Sequence, residues 1–177
     1  MNSAITLLSI SSLLGVGSAC DSAAQRPTPT PFAIDEAAIA EAAVAFDDGD
    51  LIQISAAAVP SRHDSPSVRV WVSEDAEAAY RATDVGAVAG SAGSARFPVG
   101  AMIVKEQRDA AGALAAFTVM VKGPSGYAPA TNDWHWQRVT PEGMTTHAGQ
   151  VQFCIDCHTP RAGVDWVFGV PEQNQTP

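Results

Sequence analysis

Residues 101–122, AMIVKEQRDAAGALAAFTVMVK, decide the architecture. Two runs rich in β-branched and apolar side chains, Ala101 to Gln107 and Ala113 to Lys122, flank the turn-forming DAAG at 109–112, which is the pattern of a β-hairpin. N-terminal to it, Val68 to Val72 alternates valine with Arg69 and Trp71, as a strand with one buried face requires. The following EDAEAAYRA, begun at Ser73, predicts a short helix, and GAVAGSAGSA at 86–95 predicts a small-residue loop. C-terminal to the hairpin, Asn132 to Val139 sets Trp134 and Trp136 on one face of a further strand. Further out, DEAAIAEAAVAFDD at 35–48 is Ala-rich, with Asp35 placed to cap a helix and Ile39, Ala43 and Phe46 at helical spacing, so it predicts a structural helix packed on a sheet. No internal repeat is visible. The expected class is α+β: a mostly antiparallel sheet with an N-terminal helix and a short C-terminal helix around Cys154 and Cys157.

Composition narrows the function. A chain of 177 residues, 46% hydrophobic, supplies one domain with a real core. A net charge of -9, with only ten Lys and Arg, argues against nucleic acid and anionic membrane surfaces, which need concentrated positive charge. After Cys20 no apolar run approaches the roughly 20 residues of a membrane-spanning helix.

Residues 1–20 read as a signal peptide: Ile5, Leu7, Leu8, Ile10, Leu13, Leu14 and Val16 precede the small residues Gly17, Ser18 and Ala19. No Lys or Arg precedes this stretch, which points to a true start upstream. Cys20 stands where a lipoprotein peptidase leaves an acylated cysteine; a lipid anchor there and simple cleavage both stay open. Residues 21–31, DSAAQRPTPTP, form a Pro-rich linker, and residues 32–177 form the domain. The expected location is outside the cytoplasm, in the periplasm or cell envelope.

The chemistry is carried by Cys154-Ile155-Asp156-Cys157-His158. This is the attachment pattern of a c-type haem, in which two thiols add across porphyrin vinyl groups and the next residue presents imidazole to iron. Positions three apart lie on one side of a helical turn, so both sulfurs reach the same ligand. A disulfide, half of a zinc site and a thioredoxin-like pair are the alternatives. Zinc would need further ligands, whereas His63, His135 and His147 are scattered, and a redox pair would normally open a helix in a βαβ unit that this pattern lacks. Export and the adjoining histidine favour one covalent haem c. The motif lies close to the C-terminus and no Met follows it; Met102, Met120 and Met144 are more simply core or loop residues. An ordinary all-helical electron carrier is therefore not expected.

Taken together, VRVWVSEDAEAAYRA, GAMIVKEQ, VMVKGPSGYAPATNDWHW and CIDCHTPRAGVDWVFG resemble, in order and spacing, the cytochrome P-460 family, which includes hydroxylamine-oxidising enzymes and the gas-binding cytochromes c-prime-beta. The resemblance implies a predominantly antiparallel β fold, a homodimer, and a haem with His158 proximal and its distal side open to small molecules. It also implies that Lys105 matches a lysine that in the enzymes is joined to the porphyrin edge. Period-two alternation puts Lys105 on the face of Ile103, where it could lie against the haem, while a surface lysine covering apolar neighbours is the simpler alternative and Lys122 the rival lysine.

The family's enzymes also carry a distal carboxylate to take protons from substrate, and its position falls at or beside Thr118, where Ala115, Ala116 and Phe117 are not bases. Glu106 adjoins Lys105 but alternation turns it to the other face. Phe117 and Thr118 over the iron would make a small, largely apolar pocket suited to nitric oxide or carbon monoxide. Trp134, Trp136 and Trp166 read as core aromatics, Asp165 as a residue holding the loop after the motif through a backbone amide, and His147 as an exposed loop residue. The expected function is binding or oxidation of hydroxylamine or nitric oxide, with electrons passed to a separate cytochrome. The alternatives are nitric oxide binding without turnover and plain electron transfer through a six-coordinate haem.

Overall fold

The structure is a computed structural model that describes residues 31–61, 65–86 and 96–177. The leader, Cys20, the linker up to residue 30, His63 and most of the 86–95 loop lie outside the described residues. Helix α1 (Glu36–Val44) begins where Asp35 accepts hydrogen bonds from the Ala37 and Ala38 amides, both 3.1 Å, satisfying donors that the first turn leaves open. It stops at Val44, so Phe46 is placed by the following turn rather than by the helix.

One seven-stranded antiparallel sheet forms the body. Strands β3 (Ser67–Val72), β4 (Met102–Arg108), β5 (Leu114–Lys122), β6 (Trp134–Val139) and β7 (Thr145–Gly149) follow one another as a meander. The two-residue strands β1 (Ile52–Gln53) and β2 (Val59–Pro60) both pair with β3. Helix α2 (Glu74–Arg81) connects β3 towards β4, and α3 (Gln152–His158) follows β7. The hairpin forms where 101–122 predicts it, while β1, β2 and β7 are strands that the sequence pattern does not mark; β7 is the polar TTHAG, which reads as loop but pairs with β6. Strand β6 starts at Trp134 rather than Asn132, because Asn132 and Asp133 take positive φ values of 52° and 63° and turn the chain into the strand. At that turn Gly123 is required by close approach: a Cβ there would lie 2.9 Å from the Asp133 carbonyl and from the Tyr127 ring. No described helix is long and apolar enough to cross a membrane.

Register sorts the side chains into two faces, since alternate residues of a strand point to opposite sides. Val70, Lys105, Thr118 and Arg138 stand opposite one another across β3 to β6, and beside them run Val72, Ile103, Met120 and Trp136. This face is covered by α2, α3 and the C-terminal segment through Tyr80, Cys154, Ile155, Val167 and Val170. The other face carries Val104, Phe117, Val119, Val121 and Val139 and is covered by Ile39, Ala40 and Ala43 of α1. Phe117 therefore points away from Thr118 and from the motif. It is fully buried, 5.4 Å from Phe46 in ring centroids, which differs from its expected place over the iron. Glu106 is turned to that same face, as alternation requires, and accepts from the Trp71 indole at 3.3 Å.

A polar chain ties α1 to the sheet. Tyr127 donates to His135 Nδ1 at 2.9 Å, His135 Nε2 donates to Gln137 Oε1 at 3.2 Å, and Gln137 Nε2 donates to the Glu36 carbonyl at 2.8 Å and to Thr145 Oγ1 at 2.7 Å.

Two outcomes are expected. Phe117→Ala should cost about 3–5 kcal/mol of folding stability, the range for emptying a closed aromatic site, read as a shift of the urea midpoint. Burial holds the His135 pKa below its ordinary value near 6.5, against the opposing effects of Gln137 and Glu36. The unfolded chain thus binds a proton that the folded chain refuses, so stability present above about pH 6.5 is lost as pH falls from there through the lowered folded value. His135→Gln should flatten the fall in urea midpoint between about pH 7.5 and about pH 5.5; an unchanged slope would contradict this assignment.

Candidate functional site

Helix α3 presents Cys154 and Cys157 one turn apart, both half-buried and both free thiols, with His158 buried at its C-terminal end. His158 Nδ1 lies 2.6 Å from the Trp166 backbone carbonyl. A carbonyl only accepts, so Nδ1 carries the proton, and in the neutral ring the lone pair is then on Nε2. The imidazole is also packed edge-on against Phe168, 5.0 Å between centroids, and against Trp136 at 6.3 Å.

The carbonyl that orients His158 comes from a tightly held loop. After the 3-10 turn Thr159–Val164, Asp165 and Trp166 take positive φ values of 54° and 65°. Such conformations cost non-glycine residues on the order of 1–3 kcal/mol each and persist only where neighbours impose them. The neighbours here are specific. The Asp165 carboxylate accepts from Lys122 Nζ at 2.7 Å, from the Phe97 amide at 3.0 Å, from Trp134 Nε1 at 3.2 Å and from the Asn132 side chain. Trp134 Nε1 also donates to the Asp165 carbonyl at 2.7 Å, and the Trp166 amide donates to the Arg161 carbonyl at 2.8 Å. Buried Arg161 donates through Nε to the Val167 carbonyl at 3.1 Å, and Tyr80 donates to the Phe168 carbonyl at 2.9 Å. Asp165 thus bonds a backbone amide as expected, and it pairs with Lys122 as well. Burial draws the Lys122 pKa down while Asp165 holds it up.

Two hollows share His158 in their walls. The larger, about 250 Å³, is walled by Val68, Val70, Tyr80, Lys105, Cys157, His158, Phe168 and Val170. The narrower cleft is walled by Ile103, Lys105, Thr118, Met120, Trp136, Cys154 and His158. Lys105 and His158 belong to both, and each cysteine fronts one. Among the described residues, neither wall contains an Asp or Glu. Thr118 Oγ1 and Trp136 Nε1 are buried in the cleft wall with no hydrogen-bond partner. Unsatisfied polar atoms beside a hollow are what a site for a further molecule leaves behind.

The sequence-predicted residues therefore divide. Lys105, Thr118, Cys154, Cys157 and His158 converge on one place, and Phe117 does not. Lys122 is engaged by Asp165 and lines neither hollow. His147 is exposed, on β7 and against the Phe153 ring rather than in a loop. Met102 belongs to the α1 side and Met144 is largely exposed, whereas Met120 stands in the cleft wall. Phe168 is the residue that sequence reasoning passed over: it sits between His158, the Lys105 ammonium at 5.7 Å and the Arg161 guanidinium at 5.6 Å. Its only signal was its place in the segment DWVFG.

The donor set suits a haem. Paired thiols on one helical turn, a histidine with its second nitrogen anchored, and two adjoining hollows of which the narrower is largely apolar are what covalent attachment and axial ligation need. Among the described residues no group of three or more His, Cys, Asp or Glu side chains is arranged to hold a metal ion directly, so the zinc alternative finds no ligand set there. Burial, reinforced by the neighbouring Cys157, pushes the Cys154 thiol up to about 11, with Arg138 opposing. In haem-free chain, alkylation of Cys154 should be about a hundredfold slower at pH 8.5 than that of an ordinary thiol, and should keep rising towards pH 11. A rate that levels off near pH 9, followed by peptide mapping, would contradict this.

A search among curated proteins finds no match. The family model described as Cytochrome P460 matches residues 51–169, a span that runs from the residue before β1 to the residue after Phe168 and includes the cysteine motif, the whole wall of the cleft and all the named wall of the larger hollow except Val170. The chain belongs to the cytochrome P-460 family and is a c-type haem cytochrome.

Proposed function

We propose that the chain is an exported cytochrome with one haem attached through Cys154 and Cys157, ligated by His158, and open on its distal side to a small nitrogen species, nitric oxide or hydroxylamine. The observation that carries the reading is the convergence of anchored His158 and both thiols on hollows walled by Lys105 and Thr118. Each thiol would add its sulfur and its hydrogen across one vinyl double bond, which requires no oxidant. A haem so held supplies an iron able to bind small ligands and to pass single electrons.

The chain's own residues set what that iron meets. His158 offers Nε2, its ring fixed by the bond to Trp166. Thr118 and Trp136 present a buried hydroxyl and a buried indole N–H with no other partner, suited to an electronegative ligand atom. Lys105 forms part of the wall of both hollows. Oxidation of hydroxylamine requires a base within about 3 Å of the substrate, directly or through one water. The described walls carry no carboxylate, which favours binding of nitric oxide over proton-coupled oxidation. If turnover occurs, the electrons leave to a separate cytochrome.

The test is expression with the cytochrome maturation apparatus. A five-coordinate, high-spin ferrous spectrum that responds to nitric oxide and carbon monoxide supports the reading. Thr118→Val should change the nitric oxide dissociation rate several-fold while haem content stays constant. Sharp six-coordinate bands that Met120→Leu abolishes would replace this reading with electron transfer. An intact mass lower by one pair of hydrogens than protein plus haem would show that Lys105 is joined to the porphyrin.

A further inference from the structure

Lys122, Asn132 and Asp165 line neither hollow, yet they form a densely bonded charged cluster close to the motif. Asp165 is fully buried and Lys122 nearly so. A buried ion pair is weak evidence of stability in itself, because desolvation offsets most of the attraction. Its position indicates another use. The carboxylate is gripped from the end of β5, from the turn before β6 and from Phe97, and the Asp165 carbonyl is gripped by Trp134. Both lie immediately before Trp166, whose carbonyl meets His158 Nδ1 at 2.6 Å. With consecutive left-handed residues at 165 and 166, the direction of that carbonyl follows from how Asp165 is held.

We propose that Asp165, clamped by Lys122, is a positioning residue for His158: it keeps the Trp166 carbonyl on Nδ1–H and thereby sets how strongly Nε2 donates to the haem iron. This rests on the reading of His158 as proximal ligand. A firm bond at Nδ1 gives the imidazole anionic character, which strengthens the iron–histidine bond and favours ferric over ferrous iron. Loosening the clasp reverses both effects without touching haem, thiols or distal wall.

The experiment uses the haem-loaded protein and compares wild type with three variants: Asp165→Asn, Lys122→Met combined with Asp165→Asn, and Asn132→Gly. The double variant leaves no buried charge alone, and Asn132→Gly removes one donor at a position whose positive φ glycine accepts. The readouts are the ferric/ferrous midpoint potential and the iron–histidine stretching frequency of the ferrous protein. The proposal expects the potential to rise and the frequency to fall in each folded variant, least for Asn132→Gly, with covalent haem content unchanged. Loss of histidine ligation in a folded variant is the extreme of the same effect and also supports it. Wild-type potential and frequency in the folded variants would overturn the proposal and leave the ligand assignment standing. Failure of all three variants to fold would also overturn it, making the clasp structural only. A wild-type protein without an iron–histidine band, or one whose spectrum survives His158→Gly, would remove the ligand assignment and this proposal together.

Discussion

The hydrogen bond between His158 Nδ1 and the Trp166 carbonyl is the constraint around which the site is organised. It joins a helix that carries both cysteines to a loop that returns beneath it only eight residues later. One bond of this kind contributes little net stability, on the order of 1 kcal/mol. Its value is directional, because it selects which ring nitrogen bears the lone pair and where that nitrogen can point. The loop in turn is held by Arg161, Tyr80 and the Asp165 cluster, so the geometry of one imidazole draws on residues from α2, β5, β6 and the C-terminal segment.

The sheet serves this arrangement by keeping two chemistries apart. On one face, α1 closes an aliphatic and aromatic core containing Val104, Phe117 and Val139. On the other, Ile103, Met120 and Trp136 are buried while Lys105 and Thr118 beside them stay half-buried, and these residues wall the hollows. A central strand buried on both sides gives a rigid back wall, and rigidity there keeps the small polar groups of the cleft in place without help from ligands.

Much of this was legible from local pattern. Alternation in 101–122 gives the hairpin and puts Lys105 on the face of Ile103, and Asp35 caps a helix because its side chain competes for the first amides. Phe117 departs from its expected place because the pleat that turns Glu106 away from Lys105 also turns Phe117 away from Thr118. Other features had no local signal. Strand β7 is polar and lies at the sheet edge, so it shows no apolar alternation, and β1 and β2 are too short to show a period. Phe168 and the Lys122–Asp165 pair depend on contacts between residues far apart in sequence, which composition and periodicity do not report. Family membership carries the haem assignment in general terms, and the particular residues are those proposed from the side-chain geometry.

In the proposed function a single polypeptide segment holds the haem by covalent bonds. No Lys or Arg lies between Arg138 and Arg161, so trypsin releases residues 139–161 as one peptide containing Cys154, Cys157 and His158. Mass spectrometry of that peptide from protein matured with haem is the most direct measurement. The expected result is the peptide mass plus one intact haem, retained through acid and organic extraction. An unmodified peptide, or one lighter by the hydrogens lost to a disulfide, would contradict it.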